Sequence, residues 1–345
     1  MKNHSDTNAS ATISGFQFQI NVAVYFMLKY LKEIETIRIE GEEEDVEVYL
    51  HDDSKYMIQA KAQTIDINDS SNNSVKLNTA LENLAKVDSD EVKYLFYASN
   101  MLNPLNTTTK EFDNYDIVVK GYDELSIKSQ KKINNQIDKL EEKGISINKD
   151  KLVIIRIPFF GKIQSEKYKF IVQTAKEVFS MMSDTLVNKC NTIITFIESM
   201  FNENGTASKG IKISKKEFCN WIILTEIDSL DLSGESESIG IEELDYCDAY
   251  DQYKRFIDEK TSSYENYGKV ISLYEKIKQN RMILINEFVK EKRLVLYNYF
   301  FEKEIQNEND MNEDEKFDMY VAQIISYAIL KKNRVIKKIR KEANL

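Results

Sequence analysis

Residues 45–62 read Asp45-Val46-Glu47-Val48-Tyr49-Leu50-His51-Asp52-Asp53-Ser54-Lys55-Tyr56-Met57-Ile58-Gln59-Ala60-Lys61-Ala62. Two short runs rich in β-branched and aromatic residues flank the turn-forming triplet Asp52-Asp53-Ser54, which predicts a hairpin. In the first run Val46, Val48 and Leu50 point one way, and Asp45, Glu47 and Tyr49 the other. In the second, Tyr56, Ile58 and Ala60 oppose Met57, Gln59 and Lys61. Each strand therefore has an apolar face and a more polar one. Upstream, residues 36–40 have strand character. Before them Phe16, Ile20, Val24, Met27, Leu28 and Leu31 recur at helical spacing, which predicts a buried helix from Gly15 with Ser14 as its N-cap. Downstream lie a Ser/Asn/Asp loop over 66–74, a helix over 76–87 and the nearly continuous apolar run 92–99, as a buried central strand requires. Further strands are expected at 117–119 and 152–157, separated by a polar helix over 128–143.

Beyond Pro158 the strand pattern stops. Helical periodicity takes over near 166–184, 186–201 and 215–225, followed by an acidic, Ser/Gly-containing linker at 228–243. Two long helices are expected near 264–306 and 314–341, the first about 60 Å long at 1.5 Å per residue. The expected organisation is a mobile arm over 1–14, an α/β domain over 15–160 with a central mixed sheet flanked by helices, and an all-α domain over 161–345. The long helices of the last suit oligomerisation or partner docking.

Composition removes several chemistries. The chain has 345 residues, a net charge of −10 and only two histidines. With His4 in the polar arm, His51 alone is left to be fixed in a fold, so a His-rich zinc site or paired-His mechanism is excluded. Cys190, Cys219 and Cys247 are widely spaced and odd in number, which predicts reduced thiols in a cytoplasmic protein rather than a disulfide framework. The ten glycines form neither a dinucleotide fingerprint nor a P-loop. No apolar run approaches 18 residues and no secretory pattern follows Met1, so no membrane partner is expected. The working groups left are carboxylates, amides, lysines and a bound metal ion.

Those groups meet at the hairpin. Gln59 and Lys61 share a strand face, and the neighbouring strand can aim Asp45 and Glu47 at them. Hydrolysis of a phosphodiester needs a divalent cation, an activated water and positive charge near the negative charge that accumulates. Asp45 supplies a hard oxygen ligand for Mg²⁺ or Mn²⁺, Gln59 a neutral oxygen, and Lys61 the cation.

A carboxylate, about a dozen residues and then Gln-x-Lys on the next strand, all after a buried helix, resembles the PD-(D/E)xK restriction-endonuclease fold in its Q-x-K variant. The start Ser14-Gly15-Phe16-Gln17-Phe18-Gln19 is similar to the first helix of Mrr-like nucleases. Together with Glu40, Glu44-Asp45-Val46 and the run from Lys93 to Asn100, the chain most resembles the double-stranded DNA endonuclease domain of CBASS (CD-NTase-associated) effectors and of LmuA subunits of Lamassu defence systems. The resemblance spans roughly residues 12–160. It implies a restriction-endonuclease-like domain, a metal-binding acid at Asp45, a variable second acid at Gln59 and a catalytic lysine at Lys61. Many relatives carry a glutamate where this chain has Gln19, so the second metal ligand is either missing or supplied by Glu40, Glu44 or Glu47, with Gln19 itself a candidate catalytic residue. The helical second half, where CBASS effectors have an α/β sensor, favours the Lamassu-like arrangement. That arrangement implies an SMC-type ATPase and accessory subunit as partners and a homo-oligomer when active.

The basic series Lys331, Lys332, Arg334, Lys337, Lys338, Arg340 and Lys341 has three readings. One is a helix end whose cations complement the macrodipole. Another, for Lys337, Lys338 and Arg340 together with Lys61, is contact with the DNA phosphate backbone. The third is docking onto an acidic partner. The expectation is a metal-dependent double-stranded DNA endonuclease of an anti-phage system. Its rivals are a non-catalytic DNA-binding or scaffold subunit and a cyclic-oligonucleotide-activated CBASS nuclease.

Overall fold

The computed structural model describes residues 6–63, 72–161, 163–206 and 212–345, with the side chains of 6–11, 164 and 204–206 left aside. Two compact units share the chain. The first takes Met1–Phe179 and Lys189–Lys215, the second Ser180–Asn188 and Lys216–Leu345.

The first unit opens with α1 (Asp6–Lys29) and three strands, β1 (Ile34–Ile39), β2 (Val46–Leu50) and β3 (Lys55–Lys61). Then come α2 (Asn73–Val87), β4 (Val92–Ser99), β5 (Val118–Gly121), α3 (Ile127–Glu141) and β6 (Leu152–Arg156). It continues through α4 (Gln164–Lys167) and α5 (Lys169–Ser180). After α6 (Asp184–Asn188), which belongs to the second unit, it resumes with α7 (Cys190–Thr206) and β7 (Ile213–Ser214). The strands form a mixed seven-stranded sheet of order β5-β6-β4-β3-β2-β1-β7. β3, β4 and β6 run parallel and the remaining pairings are antiparallel. A parallel β3–β4 pair needs a crossover, and α2 supplies it.

β3 is central and covered on both faces, so five successive residues from Tyr56 to Ala60 are buried. On one face, Leu77, Leu81 and Leu84 of α2, spaced by four and three residues, pack with Met57, Leu95, Tyr97 and Ile154. On the other, Phe26 of α1 meets Phe96 edge-on at 4.8 Å between ring centroids, and Phe96 in turn meets Tyr56 at 5.6 Å. Burying a side chain of this size stabilises by about 1.5–3 kcal/mol. This sandwiched sheet is the rigid platform that sets the spacing of Asp45, Gln59 and Lys61.

The second unit is helical. It contains α6, α8 (Lys215–Asp228), α9 (Ser236–Ile239), α10 (Glu243–Lys260), α11 (Tyr264–Asn280), α12 (Ile285–Glu291), α13 (Arg293–Phe301), α14 (Glu313–Lys331) and α15 (Asn333–Ala343). α14 is its axis, packed against α10, α11, α12 and α13. Every residue from Val321 to Leu330 is buried. A helix that is apolar all round belongs inside a bundle, and no described helix is long and apolar enough to cross a membrane. Asn312 caps α14 by accepting from the Glu315 amide at 2.9 Å. Gln323, buried in the same helix, donates to the carbonyls of Ile239 and Val289, both at 3.3 Å.

Three expectations from the sequence change. Helix α1 begins at Asp6, so residues 6–14 are helical rather than an arm, and Ser14 lies inside the helix rather than at its cap; residues 1–5 fall outside the described residues. The sheet unit does not end at residue 160. β7 extends the sheet beside β1 with Ile37 opposite Ile213, and α7 packs on α1. The two long helices are broken. Arg281 is extended (φ −155°, ψ 150°), Ile283 dives into the core, and Tyr274 donates to the Ile283 carbonyl at 3.2 Å. Further breaks fall at Lys292 and Lys332, both of which leave helical geometry.

Candidate functional site

The turn between β1 and β2 is built around one buried carboxylate. Glu40 takes φ 49° and its amide donates to the Asp45 carbonyl at 2.9 Å, while the Gly41 amide donates to the Glu44 carbonyl at 3.0 Å. The Glu47 carboxylate folds back beneath this turn. It accepts from the Glu43 amide at 2.8 Å, the Glu44 amide at 3.4 Å and the Tyr49 hydroxyl at 2.8 Å. A Cβ at position 41 would stand 2.1 Å from the Glu47 carboxyl carbon, so any side chain there would have to displace the Glu47 carboxylate. Tyr49 is held protonated well above its usual range, by burial and by the hydrogen bond to Glu47.

With the turn fixed, β2 and β3 pair with Val46 opposite Ile58, which brings Asp45 alongside Gln59. Three donors converge on one oxygen, Asp45 Oδ2: Gln59 Nε2, the Ala60 amide at 2.8 Å and Lys61 Nζ at 3.3 Å. The Asp45 and Lys61 side chains keep 18% and 25% of their surface, so the pair is reachable from solvent. No described hydrogen bond reaches Asp45 Oδ1. Gln59 is fully buried, and its Oε1 accepts from Asn83 Nδ2 on α2 at 2.6 Å.

Two further oxygens nearby lack donors among the described residues. Glu44 is 6% exposed and its Oε1 has no hydrogen-bond partner. Burial foremost, then the Asp45 charge, pushes its carboxyl up to about 7, while Lys61 opposes the rise. Gln19 Oε1 is also buried without a donor. Gln19 lines a cleft of about 710 Å³ together with Phe16, Gln17, Glu40, Lys61 and Asn202.

Asp45, Gln59 and Lys61 are thus brought together, and Gln19 shares a cleft with Lys61. Glu47 is not: its carboxylate is taken by turn amides and a tyrosine, which corrects its expected role as a ligand. The Gln59 oxygen faces Asn83 rather than Asp45, so as placed this amide donates to the aspartate. Among the described residues no group of three or more His, Cys, Asp or Glu gathers as a metal cage. A cation here would rest on one or two carboxylates plus amide oxygens and water, the manner in which Mg²⁺ is usually held. Glu44 and Gln19 each carry an oxygen of that type with no donor among the described residues.

In the helical unit, Lys337 pairs with Glu275 at 2.8 Å, the Arg340 guanidinium lies over the Tyr264 ring at 5.6 Å, and Lys332 pairs with the fully buried Glu226 at 2.8 Å. Lys338 is exposed. The basic series is therefore partly spent within its own unit. Asn83 was not foreseen from the sequence; the one signal for it is an amide flanking the apolar stripe Leu77-Ala80-Leu84.

No model of a protein family and no curated protein matches the sequence. Solved structures to which the chain is similar include the Cap4 SAVED/CARF-domain containing receptor of Moraxella osloensis, at 15% identity and TM-score 0.40, over 62% of this chain and 48% of that one. The Acinetobacter baumannii Cap4 receptor with the cyclic trinucleotide 3'3'3'-cAAA matches at 13% identity and TM-score 0.38, over 65% of this chain and 46% of that one. The chain spans about half the length of these structures.

Proposed function

We propose that this chain is a metal-dependent double-stranded DNA endonuclease of a bacterial anti-phage defence system, of the Lamassu LmuA kind. In this reading it is held inactive by an SMC-type ATPase complex and works as a homo-oligomer. The observation that carries the proposal is the convergence of Gln59, Ala60 and Lys61 on Asp45 at the end of the central strand. The assignment to DNA and to defence rests on the sequence resemblance.

Hydrolysis adds the oxygen of water to phosphorus and breaks one P–O ester bond. A Mg²⁺ or Mn²⁺ ion, when bound, would polarise the phosphate and lower the pKa of the attacking water. Asp45 Oδ1 and the Glu44 carboxylate would hold that ion, with the Gln19 oxygen at the edge of the cleft. Asp45 is aimed by the Ala60 amide, whose position is fixed by the sheet. Lys61 has two alternative partners: the Asp45 carboxylate in the present state, and the negative charge that builds on the phosphoryl oxygens during attack. Lys338 would touch the DNA backbone without reading sequence, as a single exposed cation does.

A second reading is a scaffold subunit that binds DNA without cutting it. The amide at Gln19, where related nucleases offer a glutamate, favours it. Titration with Mn²⁺ separates the two: a nuclease binds the ion in an Asp45-dependent way, and a scaffold does not.

A further inference from the structure

Gln59 sits between two partners that constrain its amide from both ends. Its Oε1 accepts from Asn83 Nδ2 at 2.6 Å, and its Nε2 donates to Asp45 Oδ2. Gln59 is 1% exposed, so no solvent replaces a lost partner. A primary amide offers hydrogens at one end and lone pairs at the other. In the present orientation the hydrogens face Asp45, where a cation would be repelled. For Gln59 to offer its oxygen toward Asp45, the amide must turn over and present Nε2 to Asn83. Asn83 would then have to present Oδ1, since leaving a buried N–H without an acceptor costs about 1–3 kcal/mol. Asparagine can do this because it too is an amide, able to donate in one orientation and accept in the other. Lys86 Nζ lies 3.5 Å from Asn83 Oδ1 and favours the present orientation.

We propose that Asn83 is a positioning residue that sets which end of the Gln59 amide faces Asp45, and so governs how well the Asp45 oxygens accept a divalent cation. The inference rests on the metal-dependent reading above and extends it to a residue on a different element of the fold. Two coupled amides give two states. In one, Gln59 donates to Asp45 and the aspartate is neutralised by Lys61 and hydrogen bonds. In the other, Gln59 offers an oxygen and the ion takes the place of the Gln59 and Lys61 donors, while the Ala60 amide keeps its bond to Asp45 Oδ2. Residues behind metal ligands commonly change metal affinity about 10- to 100-fold when altered.

The test uses the full chain and Mn²⁺ as the probe, with binding read by calorimetry or by electron paramagnetic resonance of the free ion. Asn83→Asp accepts only, so it holds the Gln59 oxygen toward Asp45; Mn²⁺ should bind about tenfold more tightly. Its added charge alone would also attract cations, so the same substitution is made in a Gln59→Leu background, where the relay is absent. The relay predicts that most of the tightening disappears there. Lys86→Met, on the exposed flank of α2, should tighten binding about twofold to threefold by releasing the present orientation. An equal gain from Asn83→Asp with and without Gln59, or no gain at all, overturns the inference. Asp45→Asn separates this failure from failure of the functional reading. If Mn²⁺ binding needs Asp45 but ignores Asn83, the relay alone is wrong; if Asp45→Asn leaves binding unchanged, both fall.

Discussion

Replacing Glu44 with glutamine should change how stability depends on pH. The Glu44 carboxyl is 6% exposed, one of its oxygens has no partner among the described residues, and burial with the Asp45 charge raises it from 4.5 to about 7. A carboxyl whose folded value lies above its unfolded value stabilises the fold while both states hold the proton. That contribution is fully present below about pH 4.5 and is lost as pH rises through about 7. A rise of this size, at about 1.4 kcal/mol per unit, corresponds to about 3 kcal/mol between pH 4.5 and pH 8. Glutamine does not titrate, so the Glu44→Gln protein should lack this component and be the more stable of the two at pH 8 in the presence of a chelator. With a urea slope of about 2 kcal/mol per molar, the difference is a midpoint shift of about 1.5 M. The assay is urea unfolding of both proteins at pH 5, 6, 7 and 8, with hydrogen exchange at the β2 and β3 amides to assign the transition to the sheet unit. Millimolar Mn²⁺ at pH 8 should restore part of the wild-type loss, because an ion takes over the work of the proton. Parallel pH profiles for the two proteins would show that the Glu44 carboxyl contributes no pH-dependent stability.

Lys332→Ala leaves the fully buried Glu226 carboxylate without its cation; it should destabilise the helical unit by about 3–5 kcal/mol in denaturant unfolding. Lys338→Glu should weaken binding to a DNA duplex by a similar factor for every sequence and reduce the salt slope of log K by about one, measured by fluorescence anisotropy from 50 to 200 mM salt. Lys337→Glu should have the smaller effect in the same assay, because Lys337 already pairs with Glu275.

The hairpin was legible because period-2 alternation carries register. Once Val46 and Ile58 are both on an apolar face, Asp45 and Gln59 share the other, and the pairing of Val46 with Ile58 across the turn sets them side by side. Side-chain orientation at the site was not legible. Which way Gln59 turns its amide depends on where α2 places Asn83, a fact of helix rotation that strand alternation does not encode. Glu47 shares a face with Asp45, as alternation requires, yet its carboxylate is claimed by the amides of the Glu43–Glu44 turn, in the space left by the missing side chain of Gly41. Glu44 stands one residue from Asp45, but the burial that shifts it comes from packing, not from sequence spacing. In the second half, the buried Tyr274 and Phe288 stand on either side of the break at Arg281 and about four helical turns apart, so periodicity continued where the backbone did not. β7 contributes two residues, Ile213 and Ser214, too few to show any period.

The most direct test is whether Asp45 and Lys61 support cleavage of DNA. Supercoiled plasmid with Mg²⁺ is incubated with the wild-type chain, Asp45→Ala and Lys61→Ala, over protein concentrations that span its self-association. The account predicts Mg²⁺-dependent linearisation by wild type that rises more steeply than linearly with protein, and its loss by at least about a hundredfold in each variant, the scale of removing one charge-stabilising group. Equal cleavage by all three proteins, or none by wild type at any concentration with Mg²⁺, would contradict it.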